Sequence, residues 1–110
     1  MMVEVREYID GQGRNHFRRW TSKLDASVRA RVDTAVFRLG EGNFSAAKPE
    51  GEGVSALRLD FGSGYRVYFA NDGELLVILL AGGSKRRQQE DIVLARRLWS
   101  DYKKRKRQGS

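Results

Sequence analysis

Leu57-Arg58-Leu59-Asp60-Phe61-Gly62-Ser63-Gly64-Tyr65-Arg66-Val67-Tyr68-Phe69 decides the architecture of this chain. Leu57, Leu59 and Phe61 alternate with Arg58 and Asp60, and Tyr65, Val67 and Phe69 alternate with Arg66 and Tyr68. A period of two puts successive side chains on opposite faces of a strand, one face buried and one polar. The Gly62-Ser63-Gly64 triplet supplies a tight turn, so the two runs pair as a hairpin. Their polar faces merge, which predicts a cluster of Arg58, Asp60, Arg66 and Tyr68.

Downstream, Asn71-Asp72-Gly73 is a strong hairpin turn. It leads into the apolar run Leu75 to Ala81, whose lack of alternation predicts a strand inside the sheet, covered on both faces. Gly82-Gly83-Ser84-Lys85 follows, two residues without side chains and then a cation. A last helix is predicted from about Gln89 to Lys104, with Ile92, Ala95, Leu98, Trp99 and Tyr102 as its apolar stripe.

Upstream, Met1 to Tyr8 alternates as an opening strand. Phe17, Trp20 and Leu24 recur at helical spacing within Arg14 to Leu24. Asp25 suits the N-cap of a second helix, whose stripe is Val28, Val32, Ala35, Val36 and Leu39 and whose end is Gly40 or Gly42. The short link makes these an αα-hairpin. Asn43 to Gly53, which contains the sole proline Pro49, reads as a polar loop. The predicted fold is one α+β domain, β-α-α-β-β-β-α, with a mainly antiparallel sheet, the αα-hairpin on one face and a C-terminal helix.

At 110 residues, division into two cores is excluded. The chain has no cysteine, so disulfide frameworks and thiolate metal sites are excluded. No run reaches the roughly 18 apolar residues of a membrane span. No leader is expected at an opening that carries Glu4, Arg6, Glu7 and Asp10, and the expected location is cytoplasmic. Net charge is +7, but Lys103 to Arg107 are five successive cations, whose removal leaves +2 for residues 1–102. The body is therefore mildly basic, and residues 103–110 form a basic tail. That tail is either a solvated terminus or an arm adding salt-dependent affinity for phosphate.

His16 is the sole histidine, so a two-histidine ribonuclease site is excluded. The carboxylates are scattered, with Glu90 and Asp91 opening the last helix where acids suit its dipole. No Walker, zinc or Ser-His-Asp pattern is present, and no metal or cofactor is expected. An arginine-and-aromatic face suits nucleic acid, because guanidinium groups grip phosphate oxygens and rings stack on bases. The alternative is an ordinary exposed sheet face, with Arg58 or Arg66 paired to Asp60 across the strands.

These residues resemble the RelE/ParE superfamily of toxins from bacterial toxin–antitoxin modules, specifically its HigB-like branch of addiction-module killer proteins. That branch carries Gly-Val-x-Glu-Leu-Arg-x-Asp-x-Gly-Pro-Gly-Tyr-Arg-Val-Tyr-Phe, then Gly-Gly-Asp-Lys, a glutamine, and Asp-Ile-x-x-Ala. This chain has Gly53-Val54, Leu57-Arg58, Asp60, Gly62, Gly64 through Phe69, Gly82-Gly83, Lys85, Gln88, Asp91-Ile92 and Ala95. Trp20, Gly42, Asn43 and Lys48 extend the match into the helical half. Departures are Ala56, Ser63 and Ser84, and Asp91 stands about where related nucleases have a catalytic tyrosine.

The resemblance implies a toxin that cleaves messenger RNA on the ribosome without metal. The substrate's 2′-hydroxyl attacks the adjacent phosphorus and leaves a 2′,3′-cyclic phosphate. On this reading Arg66 grips the scissile phosphate, Lys85 is the acid or second clamp, and Arg58 reinforces the field. Tyr68, Lys48, Arg86, Arg87, Gln88 and Tyr65 are the candidate RNA-binding residues, although Tyr65 alternates onto the core face. Implied partners are an antitoxin of helix-turn-helix type, the ribosome and messenger RNA, and operator DNA through the antitoxin. ParE-like relatives suggest two alternatives: a non-enzymatic gyrase poison, or a weakly active toxin serving chiefly in operon repression.

Overall fold

The computed structural model describes residues 2–109; Met1 and Ser110, at the outer ends of the expected opening strand and basic tail, lie outside the described residues. The elements are β1 (Glu4–Glu7), α1 (His16–Thr21), α2 (Ala26–Gly40), β2 (Ala47–Pro49), β3 (Val54–Leu59), β4 (Tyr65–Asn71), β5 (Leu76–Gly83), a 3₁₀ turn (Lys85–Arg87) and α3 (Gln88–Arg107). They form one five-stranded sheet in the order β1-β5-β4-β3-β2. β1 runs parallel to β5, and the other pairs are antiparallel. An α+β domain with a mainly antiparallel sheet is what the strand patterns predict.

Two local predictions need correction. The segment from Asn43 to Gly53 is not all loop, because Ala47–Pro49 adds a short edge strand against β3. Pro49 fits there because an outermost strand has one side whose N–H groups need no ladder partner. The element order therefore gains a strand. The expected division after Tyr102 also falls inside a helix, since α3 continues through Arg107. Lys106 pairs with Asp72 at 2.7 Å and Arg105 donates to the Ile9 carbonyl at 2.8 Å. Contacts to a turn and to the end of β1 hold this basic run in place.

The helical half follows its signals closely. Asn15 caps α1 by accepting from the Arg18 N–H at 2.8 Å. α2 ends where glycine permits it. Gly42 adopts φ 84°, its N–H reaches the Leu39 carbonyl, and the Asn43 N–H reaches the Arg38 carbonyl. That pair of bonds is the Schellman ending, in which a left-handed residue satisfies the helix's last carbonyls.

The helices do not share one side of the sheet. Val32 and Leu39 of α2 and Phe17 of α1 pack on Leu57, Leu59, Val67, Phe69, Val77 and Leu79. On the opposite face Ile92, Ala95, Leu98 and Trp99 of α3 cover Ala56, Tyr68, Ala70, Ile78 and Leu80. Fully burying a ring such as Phe69 contributes roughly 1.5–3 kcal/mol, and two such layers explain a sheet that is apolar on both sides. The face with Arg58, Arg66 and Tyr68 is therefore open only beyond the end of α3.

A bulge between β4 and β5 sets what lies at that open end. Tyr68 is opposite Ala81, whereas Phe69 is opposite Leu79, so Leu80 is the extra residue. The shift puts Gly83 opposite Arg66 on the α3 side and turns Gly82 toward Trp20 of α1. A bulge re-aims the strand's end, and here it directs the two glycines to opposite faces.

Candidate functional site

β3 and β4 carry Arg58 and Arg66 to the same end of the sheet as directly opposed residues. Lys85 joins them because β5 stops at Gly83 and the chain turns over the hairpin, where the Lys85 N–H approaches the Ser63 carbonyl at 3.4 Å. Gly64, at φ 75°, is what permits the approach: a Cβ there would stand 3.3 Å from the Lys85 Cβ. Arg58, Arg66 and Lys85 line one cleft of about 570 Å3, together with Asp60, Phe61 and Tyr65. The three cations thus converge, as the motif implies.

Arg66 is only 8% exposed. Its Nη1 donates to the Gly64 carbonyl at 3.0 Å, while Nε is buried with no hydrogen-bond partner. Among the described residues no ion pair joins Asp60 to Arg58 or Arg66. The neutralised-face alternative is therefore not what forms. A guanidinium held by one carbonyl, with a further N–H unspent, can bind a planar anion.

Tyr68 departs from expectation. It is 0% exposed, packed beneath α3, and its hydroxyl has no partner. Burial, reinforced by the Asp91 carboxylate, pushes that hydroxyl up to about 12. Its ring offers no face to a base, so it does not belong to an exposed cluster with Arg58.

The remaining predicted residues scatter. Lys48 stands exposed on β2, opposite Ala56, away from the cleft lining. Arg86 is exposed on the 3₁₀ turn and Gln88 begins α3 half-buried. Arg87 pairs with Glu90 at 2.8 Å. Tyr65 is half-buried between Phe61 and Trp20, with ring centroids 5.3 and 6.5 Å away. It both packs toward the core, as its parity predicts, and lines the cleft.

Two flanking clefts went unforeseen. One, of about 400 Å3 between α2 and β3, brings Arg31 and Arg38 beside Arg58. Arg31 lies 4.5 Å over the Phe61 ring. The seven-residue spacing of Arg31 and Arg38 on α2, two helical turns, is the signal that would have found them. The other, of about 490 Å3, is lined by Arg19, Trp20, Lys23, Arg87 and Asp91, with Tyr65 shared. Asp91 is buried, and desolvation raises its carboxyl above the usual carboxylate range, opposed by Arg87.

No family model matches the chain. An uncharacterized protein of Haemophilus influenzae strain Rd is 43% identical over 62 residues, 56% of this chain. The chain covers 63% of that relative's length. Among solved structures, the E. coli toxin RelE, as a double arginine-to-alanine mutant in the free state, is similar at a TM-score of 0.61. The likeness covers 96% of this chain and 98% of RelE, at 19% identity. This is the RelE fold. Strand order, the αα-hairpin and the long last helix all fall within the shared span. No helix of the described residues is long and apolar enough to cross a membrane.

Proposed function

We propose that this chain is the toxin of a type II toxin–antitoxin pair, and that it cleaves messenger RNA in the ribosome. The RelE fold supports the first part. The observation that carries the second is the convergence of Arg58, Arg66 and Lys85 on one cleft with no carboxylate neutralising them.

Nucleophile and electrophile both reside on the RNA, so the protein's work is orientation and charge stabilisation. The 2′-oxygen bonds to phosphorus and the bond from phosphorus to the 5′-oxygen breaks. The hydroxyl proton leaves to solvent, and the Lys85 ammonium gives a proton to the 5′-oxygen. Arg66, through its unspent N–H groups, holds the non-bridging oxygens as their charge grows. Arg58 adds to the field from across the hairpin. The product is a 2′,3′-cyclic phosphate. The partner that restrains this activity is an antitoxin, of helix-turn-helix type in the HigB-like branch, which brings the pair to operator DNA.

Expression of the chain alone, followed by primer-extension mapping of transcripts, tests this reading. Growth arrest with in-frame cuts is expected, and Arg66→Ala abolishes both while retaining its circular dichroism spectrum. Intact transcripts accompanied by DNA double-strand breaks would replace it with gyrase poisoning.

A further inference from the structure

The cleft between α1 and the exit of β5 adjoins the cation cleft, with Tyr65 forming a wall of both. Trp20 supplies a second ring, and Arg19, Lys23 and Arg87 supply cations. Inside sits the Asp91 carboxyl, 7% exposed, with Oδ2 buried and without any hydrogen-bond partner. It is admitted by Gly83, where a Cβ would overlap the carboxyl. A carboxyl in the first turn of a helix commonly caps it, but no side-chain cap bond forms at the start of α3. A buried acceptor left unsatisfied costs free energy that a ligand's donor would recover.

Rings, cations and one unsatisfied acceptor match the parts of a nucleotide: base face, phosphate and base-edge N–H. We propose that this second cleft is a nucleobase subsite beside the reacting phosphate, where Asp91 accepts a hydrogen bond from an exocyclic amino group. The inference rests on the nuclease reading and adds a base preference to it. Cytosine and uracil are the sharpest pair, because they match in size and differ where cytosine's amino group is replaced by uracil's carbonyl. That carbonyl would set oxygen against the Asp91 carboxylate, a mismatch that disfavours uracil about ten-fold.

The test is 5′-end sequencing of cut messages in cells expressing the chain, using a transcript library randomised around the cut. At one fixed position beside the cut, cytidine exceeds uridine by about ten-fold, and Asp91→Asn brings the ratio to within about two-fold while cutting continues. Equal use of the two bases by the wild type overturns the subsite, as does a bias that Asp91→Asn leaves intact. Loss of all cutting by a folded Asp91→Asn also overturns it, in favour of a part in the chemistry. Should that variant not fold, the wild-type map decides alone. Cutting without bias removes the subsite only, whereas absence of any cutting removes the nuclease reading with it.

Discussion

Arg58 and Arg66 stand directly opposite each other across the β3–β4 ladder. Like charges so placed repel, and a favourable cross-strand pair would contribute roughly 0.2–1 kcal/mol instead. The repulsion is unrelieved by Asp60, so it is a cost that stability alone does not explain. Arg58→Gln should therefore leave the melting temperature unchanged or raise it by a few degrees, while reducing transcript cutting at least about ten-fold. Thermal denaturation beside quantitative primer extension checks both halves, and a fall in melting temperature would show Arg58 to be structural.

Tyr68 presents the opposite case, an expected contact residue buried in the core with an unpaired hydroxyl. Tyr68→Phe removes that hydroxyl and keeps the ring. Stability should rise by about 1–3 kcal/mol in urea unfolding, with cutting unaffected. Impaired cutting by a more stable variant would mean that the hydroxyl reaches substrate.

Gly82 faces Trp20 so closely that a Cβ would overlap the indole ring. The obstacle is a bulky ring packed against the core, not the free end of a flexible chain. Gly82→Ala should cost about 1–3 kcal/mol of overpacking in the same unfolding measurement. Gly73→Ala, in the open β4–β5 turn with nothing near the added methyl, would cost only the strain of a φ of 75°.

Asp72 ties the last turns of α3 to the β4–β5 turn. Hydrogen bonds from Lys106 and Tyr102 hold its carboxyl below its ordinary value of 3.8. A carboxyl lowered by folding contributes stability that is fully present above the unfolded value. The contribution is lost as pH falls through the folded value. Asp72→Asn should thus lower stability at pH 7 and converge with the wild type in strong acid. Urea midpoints across pH 2 to 7 test the sign, and parallel curves would show that the carboxylate makes no such contribution.

The hairpin, the interior strand and both helical stripes were legible because each rests on local periodicity and turn chemistry. β2 was not, since three residues around Pro49 carry no pattern, and an edge strand borrows its shape from its neighbour. The convergence of Arg58, Arg66 and Lys85 followed from alternation and two glycines. Misplacing Tyr68 had one cause: alternation gives the face but not what covers it, and α3 packs opposite the other helices. The β5 bulge left no mark in the sequence, and the role of Gly83 beside Asp91 depends on it.

β1 is among the first segments to be synthesised, yet its ladder partner is β5, with Glu4 beside Leu76. It must wait, unpaired, until most of the polypeptide has left the exit tunnel. Arg66 meets Gly83 only on that same late strand. A nascent chain accordingly carries no assembled cleft, and the translating ribosome that makes this protein is not exposed to it before release.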